Sequence, residues 1–177
     1  VFIALHGVYG EDGEVQRILE RSGQQYTGSR PFPSNLSLNK PLSKQYAKTV
    51  NLQTPAYLQA TSDGSDLKRL VATALELLGH NVVIKPTNNG SSIGVVVIRD
   101  GAGLTTAITD ALKERPAVMI EKRLRGCEVS CAVIEGFRGH AEYVLPPVAI
   151  VPSGVDYLTY DTKRSGGSVP DSHRVPF

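Results

Sequence analysis

The sequence predicts a mixed α/β fold of the split α+β type, and three observations support this. Residues 38–121 contain patterns in the order strand, helix, strand, strand, helix, strand. The chain has 177 residues, of which 41% are hydrophobic and 20% are charged, as is typical of a globular protein. No apolar run approaches the roughly 20 residues that span a bilayer, so no membrane partner is expected.

Each predicted element follows from a local pattern. The predicted strands, in chain order, are residues 1–5, 55–58, 81–85, 95–98, 118–121, 128–134 and 140–145. The predicted helices are residues 15–22, 38–49, 67–78 and 104–113.

The N-terminal third is predicted to hold one strand and two helices. Val1–Leu5 is apolar and lacks the preceding basic region of a signal peptide, which favours a buried strand. Apolar residues at helical spacing follow and end at a serine–glycine pair. Pro31 and Pro33 are expected to break the chain, and Ser37 is expected to cap the next helix.

The central region has the clearest patterns. Residues 67–78 carry an apolar stripe with a 3.6-residue period, which Gly79 ends and which Ser65 or Asp66 can cap. Two short apolar runs then flank a polar loop, as expected for two strands joined by a hairpin. A further helix and an apolar strand complete the unit.

The C-terminal region is predicted to be a strand, a hairpin and a long loop. Residues 128–134 alternate as one strand that continues through a turn at Gly136, whereas residues 152–177 are rich in glycine and proline. Cys127 and Cys131 are about 13 Å apart along an extended strand, too far for a disulfide. They are therefore expected to be free structural thiols in a reducing compartment; a metal site is the weaker alternative.

The charge balance argues against a nucleic-acid partner. The formal net charge is +2, and the chain has no dense run of lysine and arginine. Locally, however, Lys85 ends an apolar strand and faces a loop that contains Gly90, Ser91, Ser92 and Gly94. Backbone N–H groups and hydroxyls of such a loop can surround a phosphate while the lysine neutralises it. The loop is neither a P-loop nor a GxGxxG motif.

A series of motifs, in matching order, resembles the D-alanine–D-alanine ligase family. In the family's terms they are HGxxGEDGxxQ, a YTGS segment, ALSMDK, KPxxxGSSxG, EKxxxGxE and the stretch before the mobile ω-loop. Here they lie at His6–Gln16, Tyr26–Ser29, Leu36–Lys40, Lys85–Gly94, Glu121–Glu128 and Pro152–Lys163. Asn39 stands where the family has an aspartate.

The resemblance implies the ATP-grasp fold and a division into three parts. Residues 1–37 would be a remnant of the N-terminal substrate domain, residues 38–121 the central subdomain, and residues 122–177 the start of the C-terminal subdomain with its ω-loop. ATP would bind between the last two parts.

The implied reaction joins two D-alanine molecules for peptidoglycan synthesis. ATP phosphorylates the carboxylate of one D-alanine, and the amine of the second attacks the acylphosphate. Catalysis of this kind is mainly positioning and charge neutralisation. The resemblance also implies a cytoplasmic enzyme that uses Mg²⁺ and can form a homodimer.

The resemblance assigns the ATP site to residues on several elements. They are Lys40, Lys85, Gly90, Ser92, Glu121, Lys122, Leu124 and Glu128. The lysines and the glycine-rich flap would contact phosphates, Glu121 the adenine amino group and Glu128 the ribose hydroxyls. The alternative for Lys85 is a solvated lysine at a strand end, and for Leu124 an ordinary core leucine.

The resemblance assigns catalysis to His6, Ser91 and Lys163, and D-alanine binding to His6, Glu11, Ser91 and Arg164. Glu11 has an alternative role, because a carboxylate at a helix N-terminus is stabilising by itself. Arg164 replaces an aromatic residue of the family, which leaves the second substrate open.

The family extends further at both ends, and this limits what the chain is expected to do. A glutamate for the D-alanine ammonium would precede Val1, and the magnesium ligands would follow Phe177, so no metal ligand is assigned here. We therefore expect a fragment that is inactive by itself. Two alternatives remain: a nucleotide-binding remnant without catalysis, and a sister ligase that uses another second substrate such as D-lactate.

Overall fold

A computed structural model describes residues 1–64 and 66–150, together with the backbone of residues 173–174. The chain divides into two compact units, Val1–Leu124 and Arg125–Phe177. The three-part division at residues 37 and 121 stays a prediction. Residues 152–172 and 175–177, which were expected to form a loop, lie outside the described residues.

The described elements comprise five helices and nine strands. The helices are α1 (Glu14–Arg21), α2 (Pro31–Leu38), α3 (Lys40–Thr49), α4 (Leu67–Leu78) and α5 (Leu104–Glu114). The strands are β1 (Tyr57–Thr61), β2 (Val82–Pro86), β3 (Val96–Ile98), β4 (Ala117–Lys122), β5 (Glu128–Ser130), β6 (Val133–Glu135), β7 (Glu142–Val144), β8 (Val148–Ile150) and β9 (His173–Arg174).

The first unit is built on an antiparallel sheet in the order β1-β4-β2-β3. Side chains alternate between the two faces of a strand, so the register assigns each residue to a face. Ile84 lies opposite Ile120, and these side chains belong to the apolar face. Val83 lies opposite Glu121, which places Glu121 on the other face. The predicted strand–helix–strand–strand–helix–strand order is confirmed.

Helices α4 and α5 cover the apolar face and form the core with it. Alternate residues of β2 are buried, and the apolar stripe of α4 contributes to the same core. Each fully buried Val, Leu or Ile contributes about 1.5–3 kcal/mol relative to exposure. The side chain of Asp66 accepts a hydrogen bond from Arg69 N at 3.2 Å, so the predicted cap of α4 is confirmed. The core comprises Ala60, Ala74, Leu78, Val82, Ile84, Ile98, Leu104, Ile108, Val118 and Ile120.

The N-terminal segment differs from the prediction in two places. Val1–Leu5 is not a strand: its backbone bonds to residues 25–27, and Phe2 is 79% exposed. Pro31 does not break the chain but begins α2, because the N–H that proline lacks is unpaired at a helix start anyway. Ser37 consequently lies inside α2, and Asn39 caps α3 in its place.

The second unit corrects the long strand predicted over residues 128–134. The segment forms β5, which pairs with β8, and β6, which pairs with β7. The predicted hairpin around Gly136 is confirmed by the pairing of β6 with β7. Cys127 and Cys131 are free and exposed, and the Cys131 thiol lies 3.2 Å from the carbonyl oxygen of Leu145.

The longest described helix, α4, has 12 residues, and none of the described helices has the length and apolarity to cross a bilayer.

Candidate functional site

The glycine-rich loop connects β2 to β3 at the end of the sheet. Ser91 and Ser92 both adopt left-handed backbone conformations, with φ of 51° and 59°. Gly94 has φ of 73°, and a Cβ there would lie 3.0 Å from Pro86 Cγ, so the loop closes tightly against its own strand. Hydrogen bonds from Ile93 N to Gly90 O and from Val95 N to Ser92 O close the loop internally. The fold thus holds two hydroxyl side chains in the loop that follows the strand of Lys85.

Glu121 and Lys85 meet on the open face of the sheet. Val83 lies directly opposite Glu121, and Lys85 is two residues further along β2, which makes it the diagonal neighbour on the same face. Lys85 Nζ forms an ion pair with Glu121 Oε2. The Glu121 side chain is 9% exposed and that of Lys85 is 23% exposed, so the lysine is the partner that a ligand can reach.

Helix α3 brings a second lysine to the same carboxylate. Lys44 Nζ forms an ion pair with Glu121 Oε1 and also donates to the Pro55 carbonyl at 3.0 Å. The orientation of α3 is fixed at its start, where Asn39 Oδ1 accepts a hydrogen bond from Leu42 N. Asparagine caps a helix as well as aspartate does, so the departure from the family pattern at this position preserves the cap.

Lys40, one turn before Lys44 on α3, approaches the glycine-rich loop. Its Nζ donates to the Asn89 carbonyl, and its backbone N–H donates to the Thr87 carbonyl at 2.9 Å. Burial, followed by the positive charge of Lys85, lowers the pKa of Lys40, and Glu121 opposes this in part. The charged ammonium is therefore held where its surroundings disfavour it.

These four groups carry a formal net charge of +2, since three lysines share one glutamate. Excess positive charge in a partly buried site favours a multiply charged anion, and the adjacent loop presents hydroxyls. The arrangement therefore fits the phosphates of a nucleotide. Among the described residues, no cluster of three or more His, Cys, Asp or Glu side chains is suited to a metal ion.

The first loop lies against the glycine-rich loop. Glu11 Oε2 accepts a hydrogen bond from Gly7 N at 2.6 Å and lies 3.7 Å from where a Cβ of Gly90 would be. Glu11 precedes α1 but does not cap it, because Gly13 is the N-cap without a side-chain cap and the Glu11 carboxylate accepts from Gly7 N instead. The capping alternative is therefore wrong, and substrate binding by Glu11 stays a prediction. His6 is exposed and directly precedes this loop. The structure thus brings Glu11, Gly90 and Lys40 to one loop.

The other predicted site residues that the structure describes are exposed. Lys122 is exposed, on the opposite face of β4 from Glu121, as expected for adjacent strand residues. Leu124 is 66% exposed, which contradicts the alternative of a core leucine. Glu128 is exposed at the start of β5 in the second unit. Lys163 and Arg164 lie outside the described residues.

Sequence reasoning missed two contributors, Lys44 and Asn89. Lys44 could have been found from its spacing, since i and i+4 side chains lie on one helix face and Lys40 was already assigned. Asn89 contributes through its backbone carbonyl, which leaves no signal in the residue type.

The two units have the ATP-grasp fold, which is shared with solved ligase structures. The Bacillus anthracis D-alanine–D-alanine ligase complexed with ATP matches with a TM-score of 0.68 and 30% identity, over 84% of this chain and 47% of that one. The family model described as D-ala D-ala ligase C-terminus matches residues 46–174. The chain therefore belongs to the D-alanine–D-alanine ligase family.

Two further matches show how far the similarity extends. The D-alanine–D-alanine ligase of Gloeobacter violaceus is 35% identical over 99% of this chain, and the chain spans 55% of that protein. The VanG D-Ala:D-Ser ligase from Enterococcus faecalis matches with a TM-score of 0.76 and 27% identity, over 88% of this chain and 44% of that one. The chain thus spans about half the length of the relatives it matches.

Proposed function

We propose that this chain supplies the nucleotide-phosphate site of an ATP-dependent ligase that joins two D-alanine molecules. The observation that carries the proposal is the lysine cluster beside the glycine-rich loop. Lys40 and Lys85 are held together despite their repulsion, and a single carboxylate opposes them and Lys44. Such an arrangement is stable in a folded protein when a polyanion completes it.

In the proposed reaction, a D-alanine carboxylate oxygen attacks the γ-phosphorus of ATP, and ADP leaves. The amine of the second D-alanine then attacks the acyl carbon, loses a proton, and expels phosphate as the peptide bond forms. Lys85 and Lys40 neutralise charge on the phosphates as it shifts during transfer. Ser91 and Ser92 orient the phosphates and the first substrate, and Glu11 and His6 face that substrate from the first loop.

The other assignments made from the resemblance belong to the same proposal. Lys122, Leu124 and the backbone near Glu121 would hold the adenine, because both carboxylate oxygens of Glu121 already contact lysines. Glu128 would bind the ribose, and Lys163 the phosphates. Mg²⁺ would supply further charge neutralisation when bound, with ligands from outside the described residues. We also propose a cytoplasmic location, where ATP is available; the homodimer stays a prediction.

Calorimetric titration of ATP, ADP and adenosine into the 177-residue chain tests the proposal. We expect the affinity to fall in that order, because the lysines act on phosphates. Lys85→Met should weaken ATP binding roughly tenfold or more, equivalent to about 1.4 kcal/mol. Lys68→Met is the matched control, since Lys68 is exposed on α4. Equal affinities for ATP and adenosine would contradict the proposal.

A second candidate is a ligase whose second substrate is not D-alanine. It is favoured by Arg164, where the family has an aromatic residue, and by the similarity to a D-Ala:D-Ser ligase. Because the chain is expected to be inactive by itself, the test uses the full-length protein that contains it. Mass spectrometry of the products that this protein forms from ATP, D-alanine and equal amounts of D-serine and D-lactate distinguishes the candidates. If D-alanyl-D-alanine were the only dipeptide formed, a ligase with another second substrate would be excluded.

A further inference from the structure

Lys44 is the most buried of the three lysines in the cluster, and neither the motifs nor the proposed reaction assigns it a role. Its side chain is 10% exposed, whereas the Lys85 side chain is 23% exposed. We propose that Lys44 is a positioning residue, which holds the Glu121 carboxylate so that Lys85 is presented to the nucleotide phosphates. This inference rests on the proposed function.

The surroundings of Lys44 fix its ammonium group in place. The group forms an ion pair with Glu121 Oε1, donates to the Pro55 carbonyl at 3.0 Å, and lies 5.2 Å from the centre of the Tyr57 ring. Tyr57 is also directly opposite Glu121 in the sheet. An ammonium with these partners on three sides is directed at the protein, so Lys44 acts on a ligand through Glu121.

The two carboxylate oxygens of Glu121 bind different lysines, one buried and one accessible. Oε1 faces Lys44, and Oε2 faces Lys85 at the entrance of the glycine-rich loop. If Lys44 were neutral, the whole carboxylate charge would act on Lys85 and Lys40. The carboxylate would then compete with the phosphates for both ammonium groups. Lys44 therefore weakens the electrostatic attraction of Glu121 for Lys85 and Lys40, which are proposed to bind the phosphates.

The test compares Lys44→Met with Lys44→Arg in the 177-residue chain, by calorimetric titration of ATP and of adenosine. We expect Lys44→Met to weaken ATP binding roughly tenfold and to change adenosine binding by less than about threefold. Lys44→Arg keeps the charge and should restore most of the ATP affinity. Lys48→Met removes an exposed charge one turn further along α3 and should leave both affinities within about twofold.

The outcomes separate this inference from the proposed function. If the unaltered chain prefers ATP to adenosine but Lys44→Met keeps the same preference, the role of Lys44 is refuted and the proposed function stands. If the unaltered chain binds ATP and adenosine equally well, the proposed function and the role of Lys44 are both refuted. An equal loss of ATP affinity in Lys48→Met would show that the net charge of the chain explains the effect, which would refute the positioning role of Lys44.

Loss of folding in Lys44→Met would not prevent the test. Lys44→Gln retains a donor for the Pro55 carbonyl and for Glu121 while removing the charge. A folded Lys44→Gln variant, checked by circular dichroism, should show the same selective loss of ATP affinity. A Lys44→Gln variant with the original preference for ATP refutes the proposal.

Discussion

Glu121 is the carboxylate on which the lysine cluster depends, and Glu121→Gln removes its charge with almost no change in shape. Both oxygens of Glu121 contact lysines, and the residue is 7% exposed. The glutamine variant leaves Lys44 buried without a counter-charge. Removing one partner of a buried ion pair typically costs about 3–5 kcal/mol. We expect about 3 kcal/mol here, because Lys85 retains contact with water and can relax outwards.

Thermal and urea unfolding, followed by circular dichroism at neutral pH, measures this loss. About 3 kcal/mol lowers the Tm by roughly 6–12 °C in a chain of this size. Because the loss comes mainly from the buried charge of Lys44, which salt screens weakly, most of it should persist between ~0.1 M and ~1 M NaCl. Tripolyphosphate should stabilise the variant more than it stabilises the unaltered chain.

Glu76→Gln provides the matched control, because Glu76 is exposed on α4. A surface substitution of this kind changes stability by no more than about 0.5 kcal/mol. The reasoning is refuted if Glu121→Gln unfolds within about 2 °C of the unaltered chain, which corresponds to less than ~1 kcal/mol. It is also refuted if ~1 M NaCl abolishes the difference in unfolding temperature between the two proteins, because that is the behaviour of solvent-exposed charges.

Two further predictions concern the start of α3. Burial and Lys85 lower the pKa of Lys40 from its usual 10.5, so the folded state binds this proton less tightly than the unfolded state does. The stability of the unaltered chain relative to Lys40→Met should therefore rise with pH between the lowered pKa and 10.5; a flat or falling difference in urea unfolding contradicts this. Asn39→Ala should lose about 1 kcal/mol in the same assay, whereas Asn39→Asp should retain the cap. Equal stabilities of the two variants would contradict the capping role of Asn39.

The central sheet could be predicted from the sequence because its signals are local and mutually consistent. The stripe of α4, its Asp66 cap and its Gly79 end all indicate the same helix, and alternating burial in β2 matches the apolar run. The position of Lys85 at the end of that run places it beside the loop. In the central sheet and the two helices that cover it, the elements predicted from periodicity and capping therefore agree with the structure.

The errors arose where structure depends on a distant partner. Val1–Leu5 has the composition of a strand, yet it is not paired in a described sheet. Residues 128–134 alternate throughout, but alternation reports which face a side chain takes and not which strand it pairs with. The ion pair between Lys44 and Glu121 joins residues far apart in sequence, so only the fold reveals it.

The left-handed pair Ser91–Ser92 has a mechanical consequence. The turn bonds from Ile93 N to Gly90 O and from Val95 N to Ser92 O lie within the loop, so residues 90–95 hold the two hydroxyl side chains in one fixed relation to each other. Any displacement of this loop would therefore carry both hydroxyls together. Since Lys40 Nζ donates to the Asn89 carbonyl, the start of the loop is held by a residue that is also proposed to contact the phosphates.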